Sequence, residues 1–239
     1  MISLTVVIDP VAAMRDTLQL PGINPVAVAL RAEAAGADGI GVYLRENHRP
    51  ISERDVRLLR QSIHGRLVLH MAATSEMVGL ALEVKPERVV LMPDLREDGT
   101  TEDGLDVMVN TKLLTETVDT LQSNGISVGV CVAAQPDLVK VVHQARANWI
   151  QIHAGRLAAA TSAATQTQEF NRMVDTVKMA HRLRLHIAIA HGLDHRLIKL
   201  FSGLTEIDEL SIGRSLMAQA LIVGIDTAVR DMVGLIRAL

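Results

Sequence analysis

One cysteine, one tryptophan, one tyrosine and two phenylalanines are all that this 239-residue chain has of those residue types. The single thiol, Cys131, excludes a disulfide framework and any cysteine-based zinc motif. So few aromatic rings leave no platform on which successive nucleic-acid bases can stack. The net charge of −3 lacks the basic excess that phosphate backbones and membrane surfaces attract. No run reaches the ~18 uncharged apolar residues of a membrane span. Met1 to Pro10 has no basic segment, and its apolar run is too short for a signal peptide. Linkers rich in proline, glycine or serine are missing, as are low-complexity tracts. The expectation is a cytoplasmic globular protein with one domain over 1–239 and with no nucleic-acid or membrane partner.

Hydrophobic residues make up 49% of the chain, enough for a sizeable core without staples. They fall into eight short, β-branched runs: Leu4–Asp9, Gly39–Arg45, Leu67–Met71, Arg88–Pro93, Ser127–Ala133, Trp149–His153, His186–His191 and Glu209–Gly213. Nearly continuous apolar strands are those buried on both faces, as in parallel sheets. Helical patterns separate them. Asn24 caps a helix that has Pro25 first and stops at Gly36. Ser52 and Asp55 form a capping-box pattern before Val56–Ile63. Further helices are expected over Ser75–Val84, Leu105–Ser123, Asp137–Arg146, Ala164–Leu183 and His195–Phe201. A last helical stretch runs over Ser215–Leu239, broken near Gly224.

Eight strands alternating with helices predict an α/β fold, a closed (β/α)8 TIM barrel. The doubly wound alternative lacks its glycine fingerprint, because Asp9-Pro10-Val11 follows the first strand. Barrel active sites form at the C-terminal strand ends. That rule singles out Asp9, Tyr43, Arg45, His70, Asp94, Cys131, Gln151, His153, His191 and Arg214. Alternation along a strand places Tyr43 with Arg45, Gln151 with His153, and His191 with Ile187 and Ile189. His186, at the start of its strand, reads as a surface histidine.

Glu209-Leu210-Ser211-Ile212-Gly213-Arg214-Ser215 is a strand that ends in glycine and opens a helix. Such a turn aims backbone N–H groups at an anion, and barrels often bind phosphate after strands seven and eight with a short extra helix. With His191-Gly192 beside it and Arg214 adding charge, Gly192, Gly213 and Arg214 are the expected phosphate site. Asp9, His70, His153 and His191 are also residue types that suit a zinc-like ion. The competing reading is hydrogen-bonded histidines around an anionic substrate, and the expectation is no metal.

At these residues the chain resembles the pyridoxine 5'-phosphate synthase family. The resemblance rests on Ala35-Gly36-Ala37-Asp38-Gly39-Ile40, on Leu44-Arg45-Glu46 followed by Ile51 to Arg60, and on Thr100 to Val107. It continues through Ile152-His153-Ala154-Gly155, Ala190-His191-Gly192-Leu193 and Glu209 to Gly213. It implies a (β/α)8 enzyme of vitamin B6 synthesis that works without metal or organic cofactor, as an octamer. The implied reaction condenses 1-deoxy-D-xylulose 5-phosphate with 3-amino-2-oxopropyl phosphate and releases water and phosphate.

The resemblance carries over Asp9, Arg45, Thr100, His191, Gly192 and Gly213. Elsewhere the chain departs from the family pattern. Pro10 replaces a histidine, Leu18 a phosphate-gripping arginine, Tyr43 a catalytic histidine, Pro50 a binding histidine and His70 a catalytic glutamate. Gln151 replaces an acidic residue, and Arg214 a histidine. His191, His70 and Tyr43 are therefore the expected catalytic groups. Asp9, Arg45, Thr100, Gln151 and His153 are the expected substrate contacts. Three functions stay open: the family reaction, another reaction on a phosphorylated metabolite, and a non-catalytic binder of a phosphate ligand. Apolar residues beyond one stripe in Met217–Val223 and Met173–Met179 predict a homo-oligomer.

Overall fold

The computed structural model describes residues 1–20, 22–94 and 103–239. Its strands are β1 (Ser3–Val7), β2 (Gly39–Tyr43), β3 (Arg66–Met71), β4 (Arg88–Leu91), β5 (Ser127–Ala133), β6 (Trp149–His153), β7 (His186–Ala190) and β8 (Glu209–Ile212). Each pairs in parallel with the next, and β8 returns to β1, so the sheet closes as a barrel. The helices described are α1 (Asp9–Leu18), α2 (Pro25–Ala34), α3 (Glu53–Ser62), α4 (Ser75–Val84), α5 (Thr111–Ser123), α6 (Pro136–Gln144), α7 (Gly155–Ala159), α8 (Ala163–Arg182), α9 (Arg214–Val223) and α10 (Ile225–Arg237).

Local chemistry sets several helix starts. Asn24 accepts the Val26 N–H, and Ser52 with Asp55 completes the reciprocal capping box of α3. Gly224, at φ 81°, separates α9 from α10. Four expectations need correction. Asp9 does not end a strand: it opens α1, where Pro10 fits the first turn and the acidic side chain suits the helix dipole. The helix expected from Leu105 begins only at Thr111, capped by Asn110. Gly104, at φ 111°, lies so close to β5 that a Cβ there would sit 2.5 Å from Val132 Cα, and the Leu105 N–H donates to the Cys131 carbonyl. Those backbone ties hold the segment out of a helix. The stretch expected as a helix from His195 is a 3-10 turn over Leu197–Phe201. Met173 and Val177 face the core, so the surplus apolar surface lies instead at the end of α9, where Leu221 and Ile222 are exposed.

The strands alternate between two environments. Leu67, Leu69, Val89, Leu91, Val130 and Val132 join the large core between sheet and helices. The intervening Val68, Val90 and Cys131 form a small separate cluster with Met92 inside the barrel. The floor of the interior is polar. Glu209 opens β8 and pairs with Arg88 from the start of β4, both buried, and Arg66 approaches the same carboxylate. The Arg88 guanidinium lies 4.0 Å from the Trp149 ring centroid, and His186 stacks on that ring at 4.8 Å. With its charged pair below and its histidines above, the interior is packed in polar and apolar layers.

Candidate active site

His70 is the penultimate residue of β3, and Gln151 lies in the middle of β6. Both are buried and both point into the barrel mouth. His70 Nε2 is 3.1 Å from Gln151 Oε1, and Gln151 Nε2 is 3.4 Å from His191 Nε2. The His191 ring stacks on His153, with centroids 4.2 Å apart and planes inclined by 15°. Strand alternation alone would turn His191 outward with Ile187 and Ile189. It turns inward because it has left the strand with a left-handed backbone, φ 67°. The Gly155 N–H donates to His153 Nδ1 at 3.1 Å, so the proton of neutral His153 lies on Nε2.

All three rings are held neutral at physiological pH. Burial lowers the pKa of His70 and carries that of His191 well below the ordinary range, where His153, His70 and Arg214 add repulsion. Burial also brings His153 down to about 4. The Cys131 thiol is buried and pushed up to about 12, which leaves it an unreactive neighbour of Gln151.

Asp9, Tyr43 and Arg45 form the opposite wall. Asp9 Oδ1 accepts the Tyr43 backbone N–H at 2.8 Å, while its buried Oδ2 has no hydrogen-bond partner among the described residues. The Tyr43 hydroxyl donates to the Pro93 carbonyl at 2.5 Å, and burial and the charge of Asp94 push its pKa up. Tyr43 is thus a neutral hydroxyl. The Arg45 guanidinium lies 5.8 Å from its ring centroid.

Burial raises the Asp9 carboxyl from 3.8 to about 7, against the lowering effect of its backbone hydrogen bonds and Arg45. The folded protein then binds more protons than the unfolded chain between those two values. Stability contributed by this group is highest below pH 4, falls as pH rises, and levels above about 7. Asp9→Asn keeps an acceptor for the Tyr43 N–H and removes the titration. The variant is expected to gain on the wild type by about 1 kcal/mol per pH unit across that window. Urea midpoints at pH 5 and pH 8 check this, and an equal gap at both contradicts it.

The turn after β7 and the start of α9 sit together. The Ser215 hydroxyl donates to the Leu193 carbonyl at 2.6 Å, which ties the two segments. Gly192 is exposed, with φ 74°, and a Cβ there would meet Ala158 Cβ at 2.5 Å. At Gly213 a Cβ would come within 3.0 Å of Val7 Cβ and 3.1 Å of its carbonyl. Gly213 is the N-cap of α9 and offers no side chain to the first-turn N–H groups. Arg214, the first residue of α9, is exposed and close enough to bear on His153 and His191. Backbone amides and one guanidinium thus face the mouth where an anion is expected.

The mouth therefore gathers Asp9, Tyr43, Arg45, His70, Gln151, His153, His191, Gly192, Gly213 and Arg214. Thr100 lies outside the described residues. Among the described residues, the one group of donor atoms within 4.8 Å of one another is His48, Glu53 and Glu76, not the mouth histidines. Sequence reasoning missed the ion pair of Arg156 with Asp103, which braces α7 beside His153. Arg156 stands three residues after His153 at a strand end, which was the available signal.

Comparison with known proteins agrees with this architecture. The pattern of the family described as "Pyridoxal phosphate biosynthesis protein PdxJ" matches residues 4–238. A pyridoxine 5'-phosphate synthase of Desulforapulum autotrophicum is 45% identical over 239 residues and covers 100% of both chains. One of Thermosynechococcus vestitus is 44% identical over 236 residues, 99% of each chain. Among solved structures, a phosphoribosylanthranilate isomerase of Thermotoga maritima superposes with TM-score 0.61 at 12% identity, over 100% of both chains. A putative fructose-1,6-bisphosphate aldolase of Coccidioides immitis gives 0.64 at 11%, over 99% of this chain and 91% of the other. At such identities these two share the fold alone. The full-length matches establish that the chain belongs to the PdxJ family of pyridoxal phosphate biosynthesis proteins.

Proposed function

We propose that this chain carries out the condensation of its relatives, joining 1-deoxy-D-xylulose 5-phosphate to 3-amino-2-oxopropyl phosphate to give pyridoxine 5'-phosphate. The observation that carries the reading is the neutral His70–Gln151–His191 array standing beside the glycine turns at 192 and 213. Ring closure needs protons moved to and from carbon and oxygen, and each transfer needs a group of suitable pKa within reach. His191 and His70 supply acid and base. Tyr43 serves as a neutral hydroxyl whose proton is held by the Pro93 carbonyl and whose oxygen accepts from substrate, and Asp9 and Arg45 line the same wall. Gly192, Gly213 and Arg214 hold one phosphate, and Thr100 assists with the sugar phosphate. Gln151 and His153 complete the substrate wall. The protein is read as cytoplasmic, and no helix of the described residues is long and apolar enough to cross a membrane.

One observation favours a second reading, a related reaction on a different phosphorylated metabolite. Leu18, at the family's arginine position, is an exposed apolar side chain at the end of α1, and it cannot grip an amino-ketone phosphate. Incubation with both substrates, read by the fluorescence of pyridoxine 5'-phosphate, separates the two. Product at enzyme-like rates supports the first reading. No product, together with thermal stabilisation by another sugar phosphate, moves the function to the second.

Assembly is part of the proposal. Leu221 and Ile222 are 71% and 81% exposed and adjacent on α9, an apolar spot that contact with a second subunit would cover. A homo-oligomer, an octamer by family likeness, is expected in light scattering at micromolar concentration. A monomer mass contradicts it.

A further inference from the structure

A primary amide has two unlike ends: its oxygen only accepts hydrogen bonds and its nitrogen only donates them. The Gln151 amide has an imidazole at each end. Its Oε1 faces His70 Nε2 at 3.1 Å, and its Nε2 faces His191 Nε2 at 3.4 Å. The oxygen needs an N–H from its ring, and the nitrogen needs a lone pair from the other. We propose that Gln151 is a positioning residue that keeps Nε2 of His70 and Nε2 of His191 in opposite protonation states. One ring then offers a base and the other an acid at the same pH.

In the arrangement observed, His70 carries its proton on Nε2 and keeps a lone pair on Nδ1. His191 has a bare Nε2 and carries its proton on Nδ1. The Val42 carbonyl also faces the His70 ring. If the amide turns over, the His70 proton moves to Nδ1 and His191 takes the Nε2 proton. Both arrangements contain one Nε2–H between the two rings. A glutamate here would not do this. A carboxylate accepts at both oxygens, so both rings would carry Nε2–H, and its charge would favour imidazolium. The charged surroundings agree with a neutral pair. Arg88 acts against protonation of His70 while Glu209 acts for it, and His153, His70 and Arg214 act against protonation of His191. A protonated His191 would also point an N–H at the amide N–H.

The inference deepens the catalytic reading of the same site, and its use in turnover rests on that reading, although the geometry does not. The test is long-range 1H–15N correlation spectroscopy on protein with 15N-labelled histidine, which distinguishes the two neutral tautomers. The His70 and His191 signals are assigned by loss in His70→Asn and His191→Asn. The expected result is opposite tautomers for the two rings in the wild type, in either order. In Gln151→Glu, which keeps the side-chain volume, both rings converge on Nε2–H and their titration midpoints rise by about one pH unit or more. In Gln151→Leu at least one ring becomes a mixture. Like tautomers in the wild type, or spectra unchanged in Gln151→Glu, overturn the proposal. Opposite tautomers without product from the two substrates overturn the catalytic reading and leave this inference standing. Product formed by a protein with like tautomers does the reverse.

Discussion

Glu209→Ala is expected to destabilise the protein by about 3–5 kcal/mol, the usual loss when one partner of a buried ion pair is removed. Glu209 is wholly buried at the floor of the barrel, and Arg88, its partner, is 3% exposed. Arg88 has little else to turn to. Its Nε and Nη1 have no hydrogen-bond partner among the described residues, and its remaining contact is the face of Trp149. That cation–π contact contributes about 2 kcal/mol when desolvated, less than the stranded charge costs. Arg66 cannot take up the lost role, because it approaches the same carboxylate and loses its partner too. The penalty belongs to the unpaired guanidinium and not to the cavity. The double variant Glu209→Leu with Arg88→Met is therefore expected to recover most of the loss, since apolar replacement of both partners is often neutral or better. Urea denaturation measures both. A loss below about 1 kcal/mol in the single variant, or no recovery in the double, would show that water reaches the floor and solvates the charge.

The floor also marks the limit of what the sequence discloses. Eight apolar runs gave away the strands because each is buried on both faces, and every expected run overlaps a strand of the barrel. Strand ends then pointed to the mouth, and the residues at those ends do converge there. Two kinds of feature were not legible. One is pairing across the barrel: nothing local links Arg88 to Glu209, 121 positions apart, or His70 to Gln151, 81 apart. The other is direction where the backbone leaves its regular pattern. His191 shares the parity of Ile187 and Ile189, which face the helices, yet it points inward because of one left-handed residue. Asp9 reads as a strand end and opens a helix. Both departures from strand periodicity fall on turns at the mouth, where a site needs geometry that periodicity does not supply.

The largest functional effect is expected at His191. His191→Ala should lower the rate of the condensation by about 100- to 10,000-fold, the usual contribution of a positioned acid–base group. The ring is held between Gln151 and the stacked His153, so its orientation is fixed by neighbours and cannot be restored by a displaced side chain. The stability cost should be small by comparison, because His191 lies in a partly exposed turn outside the apolar core. Tyr43→Phe provides the contrast. Its hydroxyl bonds a backbone carbonyl and its pKa lies above the ordinary phenol range, so it neither ionises nor accepts a proton near neutrality. Loss of that hydroxyl should reduce the rate by about 10-fold or less, through one hydrogen bond of about 1 kcal/mol. Rate measurements with both substrates across pH 6 to 9 compare the two variants. If Tyr43→Phe proves as damaging as His191→Ala, the phenol takes part in proton transfer and the division of labour between the two walls of the mouth is wrong. If His191→Ala retains wild-type rates, the histidine pair is not the acid–base machinery, and the glycine turns remain as an anion site that serves some other chemistry.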